Sequence, residues 1–132
     1  MAMSKRDWRF VAYSSFGSLG VMYLGIVAII LSATGASWII SANSPLEWAA
    51  LLSITERLVA GILCVAVIVA LASHPPARKV GLSLAWILAL GTAAVMLADL
   101  TEVHAGPRAY LIGGLIVALH LWCVRAFHMA TL

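Results

Sequence analysis

Residues 16–40 read FGSLGVMYLGIVAIILSATGASWII, with no charged side chain anywhere in the run. A transmembrane helix needs about 20 mostly apolar residues to cross about 30 Å of hydrocarbon, and this run meets that length. A β-barrel strand alternates apolar and polar residues over about ten positions. This run is longer and uniformly apolar, which favours a helix. Lys5, Arg6 and Arg9 precede it and Ala33-Thr34-Gly35 offers a small-residue cleavage pattern. A signal-peptide core spans only about 7–15 apolar residues, however, so the run is expected to be retained as a span.

The pattern recurs three times. Residues 50–73 are charged only at Glu56 and Arg57, residues 80–99 are uncharged up to Asp99, and residues 109–128 are interrupted by His120 and Arg125. The breaks are local and chemical. Asn43-Ser44-Pro45 supplies an N-cap and a proline suited to a first helical position, with Glu47 where a capping box places its acid. His74-Pro75-Pro76 and Gly106-Pro107 end the other runs, since proline lacks the amide donor and disfavours helix before it. Loops this short can only turn the chain back. The expected fold is all-α: an integral membrane four-helix up-and-down bundle forming a single membrane domain over 1–132, with spans at 16–40, 50–73, 80–99 and 109–128.

Composition agrees. Of 132 residues, 64% belong to the hydrophobic set and 10% are charged, with a mean hydropathy of +1.06. Soluble domains carry about 25% charged residues. A small chain has a large surface for its volume, and thirteen charges cannot cover it. Disorder is excluded by the amount of apolar surface. The expected solvent is a lipid bilayer.

Lys and Arg in short loops favour the cytoplasmic side. Lys5, Arg6, Arg9, Arg78, Lys79 and Arg125 fall on one side, and Arg57 and Arg108 on the other. Both termini are therefore expected in the cytoplasm, in a multi-pass protein of the cell inner (plasma) membrane. Glu47, Glu56, Asp99 and Glu102 make the opposite face acidic although the whole chain carries +3. Trp8, Phe10, Tyr13, Trp38, Trp48 and Tyr110 lie near span ends, where amphipathic rings anchor at headgroup depth.

Small residues let membrane helices approach closely. Gly81, Ala85, Ala89 and Ala93 form a ridge on the third run, which points to a helix near the bundle centre. Ala66 and Ala70, Gly114 and Ala118, and Gly17, Gly20 and Gly25 form smaller ridges. One such ridge can face a second copy or a membrane-complex partner.

Ionisable residues within a span cost roughly 2.5–3.5 kcal/mol at its centre and mark candidate functional sites. Glu56, Arg57, Asp99, Glu102, His104 and Arg108 are expected to gather at the outer mouth, either as an interfacial ion-pair network or as a polar site for a proton, a cation or a lipid headgroup. Cys64 and His120 are expected near mid-depth. Histidine with thiolate suits a soft metal, but two ligands do not make a site. A lone buried histidine bonded to a backbone carbonyl or a serine is the simpler expectation, and no metal or other cofactor is expected. Cys64 and Cys123 form no CxxC pair. Catalytic and nucleotide motifs are absent, and scattered basic residues give nucleic-acid binding no support.

Four spans in so short a chain resemble the small multidrug transporters in outline. Those proteins place an essential glutamate in the first helix, and this chain has no acid in its first run. The layout is also similar in hydropathy to the DoxX-like and other small four-span bacterial families. No motif accompanies either likeness, so no residue role is carried over. The leading expectation is a small accessory, assembly or interaction subunit of a membrane complex. The alternatives are a proton- or ion-coupled carrier or channel using Glu56 with Asp99 or Glu102, and a membrane enzyme or binder acting on lipid or quinone.

Overall fold

The computed structural model describes residues 2–132. It holds four long helices, α1 (Lys5–Thr34), α3 (Pro45–Ala72), α4 (Pro75–Glu102) and α5 (Pro107–Thr131), and a single helical turn, α2 (Ser37–Ile40). All four long helices are long and apolar enough to cross a membrane. Their outward faces remain apolar and exposed, for example at Ile29, Ile62, Val69, Leu90 and Leu115.

The helix boundaries refine the expected spans. Ser4 starts α1 well before the apolar run. Its hydroxyl accepts from the Asp7 amide at 3.2 Å, and the Asp7 carboxylate accepts from the Ser4 amide at 3.1 Å. That reciprocal capping satisfies two otherwise orphaned donors. At the other end the 16–40 run is not one helix. Gly35 adopts φ 73, a conformation L side chains rarely take, and its amide closes the helix on the Leu31 carbonyl at 2.9 Å. Trp38 then folds back, its indole N–H donating to the Thr34 hydroxyl at 3.0 Å. Ser44 caps α3 by accepting from the Glu47 amide at 3.2 Å, while the Glu47 carboxylate accepts from the Asn43 amide at 3.3 Å rather than from Ser44. Pro75 and Pro107 occupy first-turn positions of α4 and α5, where a missing amide donor costs nothing.

Helix packing runs α1–α3, α3–α4, α4–α5 and α5–α1, so the bundle is a ring of four. Both termini emerge at one end, the terminal end; α2 and the 103–106 linker form the distal end. The ring corrects the expectation that the third long helix is central: α4 packs chiefly on its neighbours α3 and α5. The ridge of Gly81, Ala85 and Ala89 is nevertheless buried against them, with Ala93 only half-buried. The expected ridge at Gly114 and Ala118 instead faces outward.

Packing is unequal along the ring. Phe16, Cys64, Val67, Leu71, Cys123, Ala126 and Phe127 form a closed core in the terminal half. Phe16 and Phe127 meet edge to face with centroids 6.3 Å apart. Trp8, expected as an interface anchor, is buried there against Trp122 at 5.6 Å, whereas Phe10 is 72% exposed. In the distal half the buried residues thin out to Val27, Ile54 and Gly113. The accessible surface is 8444 Å² for 14.0 kDa, above the roughly 6,700 Å² that a compact globular chain of that mass exposes.

The tight end rests on Gly81. A methyl group there would lie 2.6 Å from Ala70 Cβ and 2.8 Å from Phe127 Cζ, so only glycine lets α3, α4 and α5 meet at that level. Gly114 has open space around its Cα. Gly81→Ala should destabilise the protein by about 1–3 kcal/mol, the usual cost of overpacking. Gly114→Ala should leave stability unchanged or raise it slightly. Thermal unfolding of both variants in one detergent checks the contrast.

Candidate functional site

α3 and α4 meet closely near their two-residue linker, where Gly81 lies against Ala70. Between them lies a cleft of about 560 Å³, within the range of small-molecule sites. Thr55, Glu56, Arg57, Val59, Ala60 and Leu63 of α3 form one wall; Ile87, Leu88, Gly91, Thr92, Val95, Met96 and Asp99 of α4 form the other. Met22, Tyr23 and Ile26 of α1 and Ile116 of α5 close the back. The lips carry exposed aliphatic groups, with Val59 at 50% and Ile87 at 57% exposure.

The spacing explains this wall. Glu56, Ala60 and Leu63 recur at helical intervals along α3, and Leu88, Thr92, Met96 and Asp99 do so along α4. Each helix thus presents a stripe that is aliphatic toward the bundle middle and charged toward the distal end.

The six residues expected at the outer mouth all lie at the distal end, and three of them line the cleft: Glu56, Arg57 and Asp99. Glu102, His104 and Arg108 are exposed and outside its lining. His104 sits in the 103–106 linker at φ 52, the left-handed region. Among the described residues no cation and carboxylate come within 4.0 Å of each other. Arg57 turns back on its own helix instead. Its guanidinium donates to the Ser53 carbonyl at 3.2 Å and to the Ser53 hydroxyl. This leaves Glu56 and Asp99 as unpaired carboxylates on opposite walls.

His120 and Cys64 are both fully buried but are not hydrogen-bonded to each other. Cys64 packs on α1, its Cβ 3.3 Å from where a Gly20 methyl would stand. His120, at 1% exposure, bonds through Nδ1 to the Ile116 carbonyl at 2.7 Å and through Nε2 to the Tyr23 hydroxyl at 2.7 Å. The carbonyl bond is the one expected of a lone histidine; the phenol takes the place of the serine offered as the other partner. One signal was available, because Tyr23 lies in the middle of the 16–40 run, far from the interface where tyrosine is at home. A buried tyrosine needs a partner for its hydroxyl. Among the described residues no group of three or more His, Cys, Asp or Glu is disposed to hold a metal.

The protons of this pair follow from its partners. A carbonyl only accepts, so Nδ1 carries the hydrogen. In the neutral ring Nε2 then offers a lone pair, and the Tyr23 O–H donates to it. Tyr23 thus joins the cleft wall to a histidine that has no surface of its own. Beyond it the way is shut by the terminal core, where Cys64, Val67, Cys123 and Phe127 have no measurable exposure.

No family model, curated protein or solved structure matches this chain.

Tyr23 and His120 should be energetically coupled. Tyr23→Phe strands Nε2 and His120→Leu strands the phenol, so each single change carries a penalty that the double change avoids. Hydrogen bonds between membrane helices are worth about 0.6–1.7 kcal/mol, and a coupling of about 1 kcal/mol is expected. A double-mutant cycle of unfolding free energies measures it.

Proposed function

We propose that this chain is a multi-pass protein of a bacterial-type inner membrane that binds an amphipathic small molecule in the α3–α4 cleft. The observation that carries the reading is a cleft closed at its terminal end and lined by both aliphatic and charged side chains. Leu63, Leu88, Val95 and Met96 offer apolar contact, while Glu56, Arg57 and Asp99 offer charge at the distal end. Such a mixture suits one molecule with an apolar body and a polar group. The exposed aliphatic lips at Val59 and Ile87 suit entry sideways from lipid.

Two other functions fit less well. A carrier or channel needs a route from one end to the other, and the relay through Tyr23 and His120 ends on the Ile116 carbonyl above a packed core. An accessory or assembly subunit needs only a closed interior, whereas this interior is open over its distal half. The charge distribution supports the orientation: Lys5, Arg6, Arg9, Arg78, Lys79 and Arg125 belong to the terminal end, which by the positive-inside rule is cytoplasmic.

Gly91 provides the test of binding. It lines the cleft and has nothing within 4 Å of where a side chain would start, so Gly91→Phe fills the cleft without forcing the helices apart. Native mass spectrometry of the wild type, released from mild detergent, should show a one-to-one small-molecule adduct that Gly91→Phe loses at unchanged thermal stability. A wild type free of adduct, or an adduct retained by the variant, contradicts the reading.

Orientation is checked separately with reporters. Fluorescent-protein fusions after Leu132 should glow, and alkaline phosphatase inserted after Asn43 or Ala105 should be active. Active phosphatase fused after Leu132 would reverse the assignment.

A further inference from the structure

We infer that the cleft selects a ligand bearing a hydroxyl group, held by a hydrogen bond that the hydroxyl donates to the Tyr23 phenol oxygen; the inference rests on the cleft-binding reading above. The Ile116 carbonyl lies 2.7 Å from His120 Nδ1 and can only accept, which places the ring hydrogen there. Nε2, 2.7 Å from the Tyr23 oxygen, therefore takes the phenol hydrogen. With its only hydrogen directed at His120, Tyr23 offers the cleft nothing but lone pairs. A carbonyl, ether or ester oxygen placed against them meets lone pairs in turn and forms no bond. A hydroxyl group supplies the missing hydrogen.

The surroundings do not reverse this preference. Thr92 stands beside the phenol, and its hydroxyl donates to one lone pair of the Tyr23 oxygen; this leaves the phenol a second lone pair and Thr92 only its own lone pairs for the cleft, so both groups still call for a donor. Arg57, the one cationic donor in the lining, is held by Ser53 on its own helix. His120 cannot shift its hydrogen from Nδ1 to Nε2, which would free the Tyr23 hydrogen for the cleft, without losing the bond to Ile116. The chemical class is accordingly a long-chain phenol or alcohol, with its hydroxyl at Tyr23 and its tail leaving between Val59 and Ile87.

The test compares two probes that differ in one hydrogen-bond donor: 4-octylphenol and its methyl ether, 4-octylanisole. Equilibrium binding to the full chain in lipid nanodiscs is corrected for partition into empty nanodiscs. The wild type should bind the phenol at least about fivefold more tightly than the ether, equivalent to roughly 1 kcal/mol for one hydrogen bond. Tyr23→Phe should bring the two within about twofold while keeping ether affinity. Equal affinity of the two probes for the wild type overturns the inference, and this comparison needs no variant. Gly91→Phe separates the two levels. If it weakens both probes while the wild type does not discriminate, the cleft stands and the hydroxyl preference falls. If it weakens neither, the cleft reading itself falls.

Discussion

Everything distinctive in this bundle depends on one close approach, the point where Gly81 meets Ala70 and Phe127. Lipid gives apolar helices no hydrophobic reason to associate, so membrane helices are held by packing and by hydrogen bonds between them. Packing is strongest where a missing side chain lets backbones draw together. Gly81 provides this beside the short linker between α3 and α4, and Gly20 and Gly61 provide it between α1 and α3. Farther along the α3–α4 seam no equivalent exists, since a side chain started at Gly91 would meet nothing within 4 Å; the distal close approach is Gly113 against Leu100, between α5 and α4. The cleft lies between α3 and α4 beyond the close approach at Gly81.

The same asymmetry explains the polar interior. A histidine under a hydrocarbon-like shell is costly unless both ring nitrogens are satisfied. His120 meets that condition with one bond inside α5 and one to α1, so the Tyr23–His120 pair ties together two helices at the boundary between closed core and open cleft. The bond ties α1 to α5 and fixes the phenol of a residue that lines the cleft. Above it, Glu56 and Asp99 line separate walls, neither within 4.0 Å of a cation among the described residues, which leaves charge for the proposed bound molecule.

Much of this was legible in the chain. The four helices follow from apolar runs longer than about 20 residues, and their ends from prolines at 45, 75 and 107. The distal gathering of Glu56, Arg57 and Asp99 follows from antiparallel order alone. What the sequence did not reveal depends on side-chain direction. Trp8 reads as an anchor by position, and only its rotation on α1 turns it inward to Trp122. Gly35 reads as one more small residue in an apolar run, yet its positive φ ends α1 before Trp38. The partner of His120 lies 97 positions away. Periodicity places both residues within spans, but it does not say which faces of α1 and α5 oppose each other. Nor does it separate a ridge that packs, as at Gly81, from one that does not, as at Gly114.

The bundle is closed in its terminal half and carries a cleft between α3 and α4 in its distal half, proposed to receive a molecule from the bilayer. An experimental structure in a lipid nanodisc tests this arrangement most directly. The predicted result is separated distal ends of α3 and α4, with non-protein density between Tyr23 and the level of Glu56 and Asp99. Helices α3 and α4 packed side by side along their whole length, with no space beside Tyr23, would contradict it.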